Sequence, residues 1–201
     1  MIKGIIFDFG NVIRTFDRMV FIQRLASFSP FSEDELFSRI FRQSNLLADY
    51  ETGKLSSIEF YNGVREVSEH DMGVEEFRDA FVDIFTPIPE TADLIRGLDG
   101  RYKLALLSNT NEWHHEHGIR EVDIYPLFDA VTVSYLVGAK KPDESIYLDC
   151  LGKLGFQPEE CIYIDDIKEY ADKASELGMK GHWYKDHCGL IEFMSGEGID
   201  V

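Results

Sequence analysis

Ile5-Ile6-Phe7-Asp8-Phe9-Gly10-Asn11-Val12 is the stretch on which the fold turns. Three consecutive apolar residues stop at a carboxylate, and a glycine follows two residues later. A short continuous apolar run suits a strand buried on both faces, as in a parallel sheet. A carboxylate at the buried end of such a strand is costly unless a cation or several donors meet it. In open α/β sheets ligands gather outside the carboxyl ends of the strands, the edge from which Asp8 would project. Gly10 lets the main chain turn tightly and approach a ligand. Taken alone, Asp8 also fits a residue capping a turn or a helix, so the rest of the chain has to decide.

Working outward, Ile13 to Asp17 is a short connection, and then four helical patterns follow without a strand. Val20, Phe21, Leu25 and Phe28 fall at helical spacing, and Ser29-Pro30 ends that run. Ser32 and Glu35 have the spacing of a capping box ahead of Leu36, Phe37, Ile40 and Phe41. Glu51 to Lys54 reads as a turn, Ser56 or Ser57 as the cap of a third helix, and Gly73 as the start of a fourth that ends near Thr86-Pro87. One βαβ crossover needs a single helix, so this block is an insertion with its own bundle. Beyond Pro89 helices alternate with apolar runs: Lys103–Leu107, Ala130–Val133, Cys161–Ile164 and Gly181–Tyr184. That alternation predicts an α/β fold with a doubly wound parallel sheet. The expected division is a core of residues 1–14 and 88–201 with a four-helix cap of residues 15–87.

The ends of the apolar runs carry the chemistry. The first gives Asp8, the second Ser108-Asn109, the third a loop with Lys141, and the fourth Asp165-Asp166. Parallel strands would bring all four to one sheet edge, gathering carboxylates, neutral donors and one ammonium. Each has an ordinary reading by itself, as helix cap, solvated lysine or turn; four together favour a site. His114-His115-Glu116-His117 lacks the i, i+4 spacing of helical zinc sites and reads as polar surface or loop. Trp113 reads as core packing or a cap contact, and Lys140 as a solvated neighbour of Lys141.

Composition narrows the partners. The net charge of −17 disfavours nucleic acid and anionic membranes. It also requires that an anionic substrate find local positive charge, from a few basic residues or a metal. Nothing approaches the roughly 18 consecutive apolar residues of a membrane span, and Asp8 interrupts the first run too early for a signal peptide, which makes the cytoplasm the default location. Cys150, Cys161 and Cys188 are too few and scattered for a disulfide framework. The sequence implies no particular oligomeric state.

With these motifs in order, the chain resembles the haloacid dehalogenase-like hydrolase superfamily over essentially its whole length, including the helical insertion after the first strand. Phe-Asp-Phe-Gly-Asn-Val, Leu-Ser-Asn-Thr-Asn and Lys-Lys-Pro look most like bacterial sugar phosphatases that act on α-glucose 1-phosphate. The resemblance implies that Asp8 is a nucleophile forming an aspartyl-phosphate, that Ser108 and Asn109 hold phosphoryl oxygens, and that Lys141 offsets charge on nucleophile and phosphate. It implies a Mg²⁺ ion on Asp8, the carbonyl of Gly10 and Asp166, with Asp165 as an indirect or water-mediated partner, and a small phosphorylated metabolite as substrate. The chain departs from the superfamily's phosphatases at Gly10, where most carry a second Asp as general acid and base. A substrate with a good leaving group, such as an anomeric hydroxyl, would need that acid less; alternatively Asp17 would reach the leaving oxygen. Two other functions remain open: a metal-free 2-haloacid dehalogenase, which adjacent carboxylates beside Asp8 disfavour, and a phosphate-binding or regulatory protein with weakened catalysis.

Overall fold

The computed structural model describes residues 1–201. Five strands form one parallel sheet: β1 (Gly4–Phe7), β4 (Lys103–Ser108), β5 (Ala130–Val133), β6 (Cys161–Asp165) and β7 (Lys180–Trp183), in the order β5-β4-β1-β6-β7. Two further short strands, β2 (Arg14–Phe16) and β3 (Phe85–Pro87), pair antiparallel where the chain leaves the sheet for the helical insertion and returns from it. This ribbon was not expected from the sequence, because three polar-to-apolar residues carry no strand period of their own.

The period of two along each strand divides the side chains between two layers. Ile5, Phe7, Leu104, Leu106, Ile162 and Ile164 face helices Pro89–Leu98 and His187–Gly196. Ile6, Ala105, Leu107 and Tyr163 face Glu144–Leu154 and Lys168–Glu176. Both faces of the sheet are therefore covered, which is why the strands read as continuous apolar runs.

The insertion has a buried cluster of its own, built on Phe21, Tyr50, Phe60, Phe77 and Phe81, with Trp113 reaching in from the sheet side. The capping box of Ser32 with Glu35 forms, and Ser56 caps the third helix as a second such box with Glu59. The helices run Arg18–Ala26, Glu33–Phe37, Ser57–Ser68 and Val74–Val82, and the second continues as a π-type turn to Arg42. A fifth, short helix, Leu46–Glu51, precedes the turn seen in the sequence. Gly53 in that turn has φ +69°, and a Cβ there would lie 2.2 Å from the carbonyl oxygen of Tyr135. Only glycine lets the insertion sit this close to the segment after β5.

Candidate active site

β1 delivers Asp8 to the C-terminal edge of the sheet between β4 and β6, its N–H donating to the Ile164 carbonyl at 2.9 Å. The carboxylate is buried and meets Lys141 Nζ at 2.9 Å. The same ammonium, 1% exposed in its side chain, lies 2.7 Å from Asp165 and donates to the Leu107 carbonyl at 3.3 Å. Asp165 is fully engaged: Oδ2 accepts from Lys141 and the Tyr163 hydroxyl, and Oδ1 accepts from the Ile167 N–H at 2.8 Å. Asp166 is half-buried, with Oδ2 accepting from Asn11 Nδ2 at 2.9 Å. Asn11 takes φ +54°, a left-handed conformation that asparagine tolerates, to reach across to β6.

Three carboxylates and one buried ammonium make an unbalanced group. Asp8, Asp165 and Asp166 each offer an oxygen within 4.8 Å of the others. Burial, reinforced by the nearby Asp165 and opposed by Lys141, raises the Asp8 pKa to about 7. Burial also raises Asp166. For Lys141 burial disfavours the charge, but Asp8 and Asp165 outweigh it and its pKa is raised. The ammonium therefore stays charged, and the excess negative charge favours a further cation. An all-oxygen set with few carboxylates suits Mg²⁺, which keeps several waters and a phosphate oxygen in its shell. With Asp165 engaged by three donors, Asp8 and Asp166 are the carboxylates that fit the ion directly.

Ser108 ends β4 beside Asn109, and both line a cleft between sheet edge and insertion. Asn109 has its amide turned to Lys141: Oδ1 accepts from the Lys141 N–H at 2.8 Å and Nδ2 donates to the Lys141 carbonyl at 3.2 Å. Its side chain holds the main chain of the lysine loop. Gly10 lines the same cleft, and a Cβ at residue 10 would lie 3.1 Å from the ring of Phe16.

Several expectations are corrected. Asp17 is exposed, and its carboxylate caps the first helix of the insertion by accepting from the Met19 N–H at 2.8 Å; it does not line the cleft. Lys140 is not simply solvated but pairs at 3.1 Å with Glu51 of the insertion. His114 and His115 are not surface residues. His114 stacks on Phe81, its Nε2–H donating to the Phe81 carbonyl at 2.9 Å, and burial lowers its pKa to about 4. His115 lies between the hydroxyls of Tyr125 and Tyr135. Sequence reading also missed Tyr163 and Asn11. Tyr163 was within reach of it, because i, i+2 spacing puts Tyr163 and Asp165 on one face of β6.

The model for haloacid dehalogenase-like hydrolases matches residues 2–169. A D-ribitol-5-phosphate phosphatase of Bacteroides thetaiotaomicron is 28% identical over 187 residues, covering 90% of each chain. A haloacid dehalogenase family enzyme of the same organism, solved as its magnesium complex, superposes with a TM-score of 0.80 at 25% identity, covering 94% of this chain and 98% of that one. A predicted hydrolase of that family from Porphyromonas gingivalis gives 0.81 at 26% identity over the whole of both chains. No helix is long and apolar enough to cross a membrane.

Proposed function

The chain belongs to the haloacid dehalogenase-like hydrolases, and from that premise we propose that it is a Mg²⁺-dependent phosphatase of small sugar phosphate-like metabolites, with α-glucose 1-phosphate the first substrate to try. The observation that carries this reading is the buried Asp8–Lys141–Asp165 group with Asp166 beside it. A dehalogenase working without metal would have to keep three carboxylates around one ammonium, and like charges at that spacing repel. The ribitol phosphate phosphatase adds support, since its substrate is a polyol phosphate.

Asp8 would attack phosphorus and form the aspartyl-phosphate. Mg²⁺ held by Asp8, Asp166 and the Gly10 carbonyl would supply charge neutralisation at the phosphoryl oxygens. Lys141 would hold the nucleophile and lower the repulsion between it and the incoming dianion. Asp165 would position Lys141 rather than bind metal. Ser108 would donate its hydroxyl to a phosphoryl oxygen, whereas Asn109, its amide taken by the Lys141 peptide groups, would reach the phosphate only through its main chain. Residues 15–87 would act as the cap over a core of residues 1–14 and 88–201.

Acid quenching during turnover of 4-nitrophenyl phosphate or α-glucose 1-phosphate is expected to trap an acyl-phosphate in the native protein and none in Asp8→Asn. Chelation by EDTA is expected to stop turnover and added Mg²⁺ to restore it. Turnover that persists in EDTA would remove the metal from this reading, and an Asp8→Asn variant of native activity would remove the nucleophile.

A further inference from the structure

Gly10 leaves the leaving group without a proton donor, and the cleft holds a cation with no acidic partner. Arg18, in the first turn of the insertion, is half-buried and lines the cleft with Gly10, Ser108 and Asn109. It makes no ion pair and no side-chain hydrogen bond in a chain of net charge −17. The other charged side chain of that cleft, Glu51, is already paired with Lys140. The guanidinium is instead held over two aromatic faces, 5.5 Å from the Phe16 ring centre and 5.3 Å from that of Phe41. Such faces steady a cation without using its N–H donors. Phe16 is also the ring that stands 3.1 Å from the missing Cβ of residue 10. A side chain at residue 10 would therefore press on the ring that carries the guanidinium.

We propose that Arg18 takes over the role of the absent acid by binding the departing oxygen as an anion. This rests on the phosphatase reading and narrows its substrates to esters of acidic hydroxyls, hemiacetal or phenolic. In the first step Asp8 Oδ bonds to phosphorus while the bond from phosphorus to the leaving oxygen breaks. That electron pair stays on the leaving oxygen, which departs as an oxyanion hydrogen-bonded to Arg18 and takes a proton from solvent afterwards. In the second step water attacks phosphorus, the bond to Asp8 breaks with its electrons returning to the carboxylate, and the water's proton goes to solvent. A guanidinium stabilises an anion through its charge and its N–H donors, without transferring a proton.

The test is a series of aryl phosphates of graded phenol acidity, turned over with Mg²⁺ by the native protein, Arg18→Met and Arg18→Lys. Loss of one oxyanion donor costs about 10²-fold or more. Arg18→Met is expected to lose about that much kcat/KM on the least acidic phenol and progressively less as acidity rises, with Arg18→Lys in between. An equal loss across the series, no loss, or a loss confined to substrates bearing a second anionic group would overturn the proposal. A second readout needs no turnover: 4-nitrophenolate titrated into protein saturated with Mg²⁺ and inorganic phosphate is expected to bind about tenfold more weakly to Arg18→Met. Equal binding would overturn the proposal. Phenolate binding that depends on Arg18 in a protein that cleaves no ester would overturn the phosphatase reading alone. An acyl-phosphate formed at Asp8 with rates indifferent to Arg18 would overturn only the role of Arg18.

Discussion

Under the phosphatase reading, residue 10 is where a general acid is lacking. Proton transfer by a placed acid is typically worth about 10²–10⁴ in rate, so restoring a carboxylate there should extend turnover to esters of poorly acidic alcohols. The Phe16 ring stands in the way, 3.1 Å from the first carbon such a residue would add. Gly10→Asp alone is therefore expected to gain less on an alkyl phosphate than the same change made with the ring removed, because its Cβ already presses on that ring. Gly10→Asp with Phe16→Ala is expected to raise kcat on that substrate by about 10²-fold or more, measured as phosphate release. A double variant no faster than the native protein would mean that residue 10 does not reach the leaving oxygen. The sequence could bring Asp8, Ser108 and Asp166 to one edge because each stands at or beside the end of an apolar run, and a parallel sheet aligns such ends by construction; Lys141 comes there on the loop beyond the short helix Ser134–Val137 that follows β5. The direction of the Asn109 amide was not legible. One rotation of a side chain decides between holding a ligand and holding the lysine loop, and no residue pattern encodes it.

At the level of the element, the insertion's helices announced themselves through capping boxes and aromatic stripes, which are local signals. Its tertiary partners did not. His114 and His115 were read as surface because their polarity is visible in the sequence and the Phe81 carbonyl and two tyrosine hydroxyls that receive them are not. His70 is a sharper case: it is 2% exposed, stacked on Phe77, and neither ring nitrogen has a hydrogen-bond partner. Burial, with Arg65 adding to it, lowers its pKa to about 4 from an unfolded value near 6.5. The folded protein prefers the neutral ring, so this group's contribution to stability is complete above about 6.5 and is lost as pH falls from there towards 4. His70→Phe removes both the titration and two unpaired buried nitrogens, each worth about 1–3 kcal/mol when left without a partner. The variant is expected to melt higher than the native protein at pH 8, and by a wider margin at pH 5. A constant margin in thermal melts at the two pH values would show that His70 is not held neutral by the fold.

Over the whole molecule the charge opposes the substrate. At −17 the long-range field repels a phosphate dianion, and the attraction comes from Lys141, Arg18 and the proposed metal at short range. Salt shortens the reach of the repulsion, to about 10 Å at 0.1 M, and touches buried pairs much less. For a phosphate ester, kcat/KM is therefore expected to rise as NaCl goes from about 0.02 to about 0.2 M, checked by initial rates at fixed Mg²⁺; a steep fall would indicate a basic approach to the cleft that the charge count hides. The α/β class followed from runs and periods along the chain. The strand order β5-β4-β1-β6-β7 did not, since the side to which each crossover turns is settled by packing between layers.

That order has a consequence for the strand that comes first in the chain. β1 lies third of five, its residues paired in register with Lys103–Leu106 on one flank and Cys161–Ile164 on the other. No flank of it is open to fraying, and both ladders would have to part before the strand could slip. Local opening of a fold begins at edges and loops with few buried neighbours. Asp8 is thus mounted at the end of a strand held on both sides, whereas the edges at which opening would begin are β5 and β7.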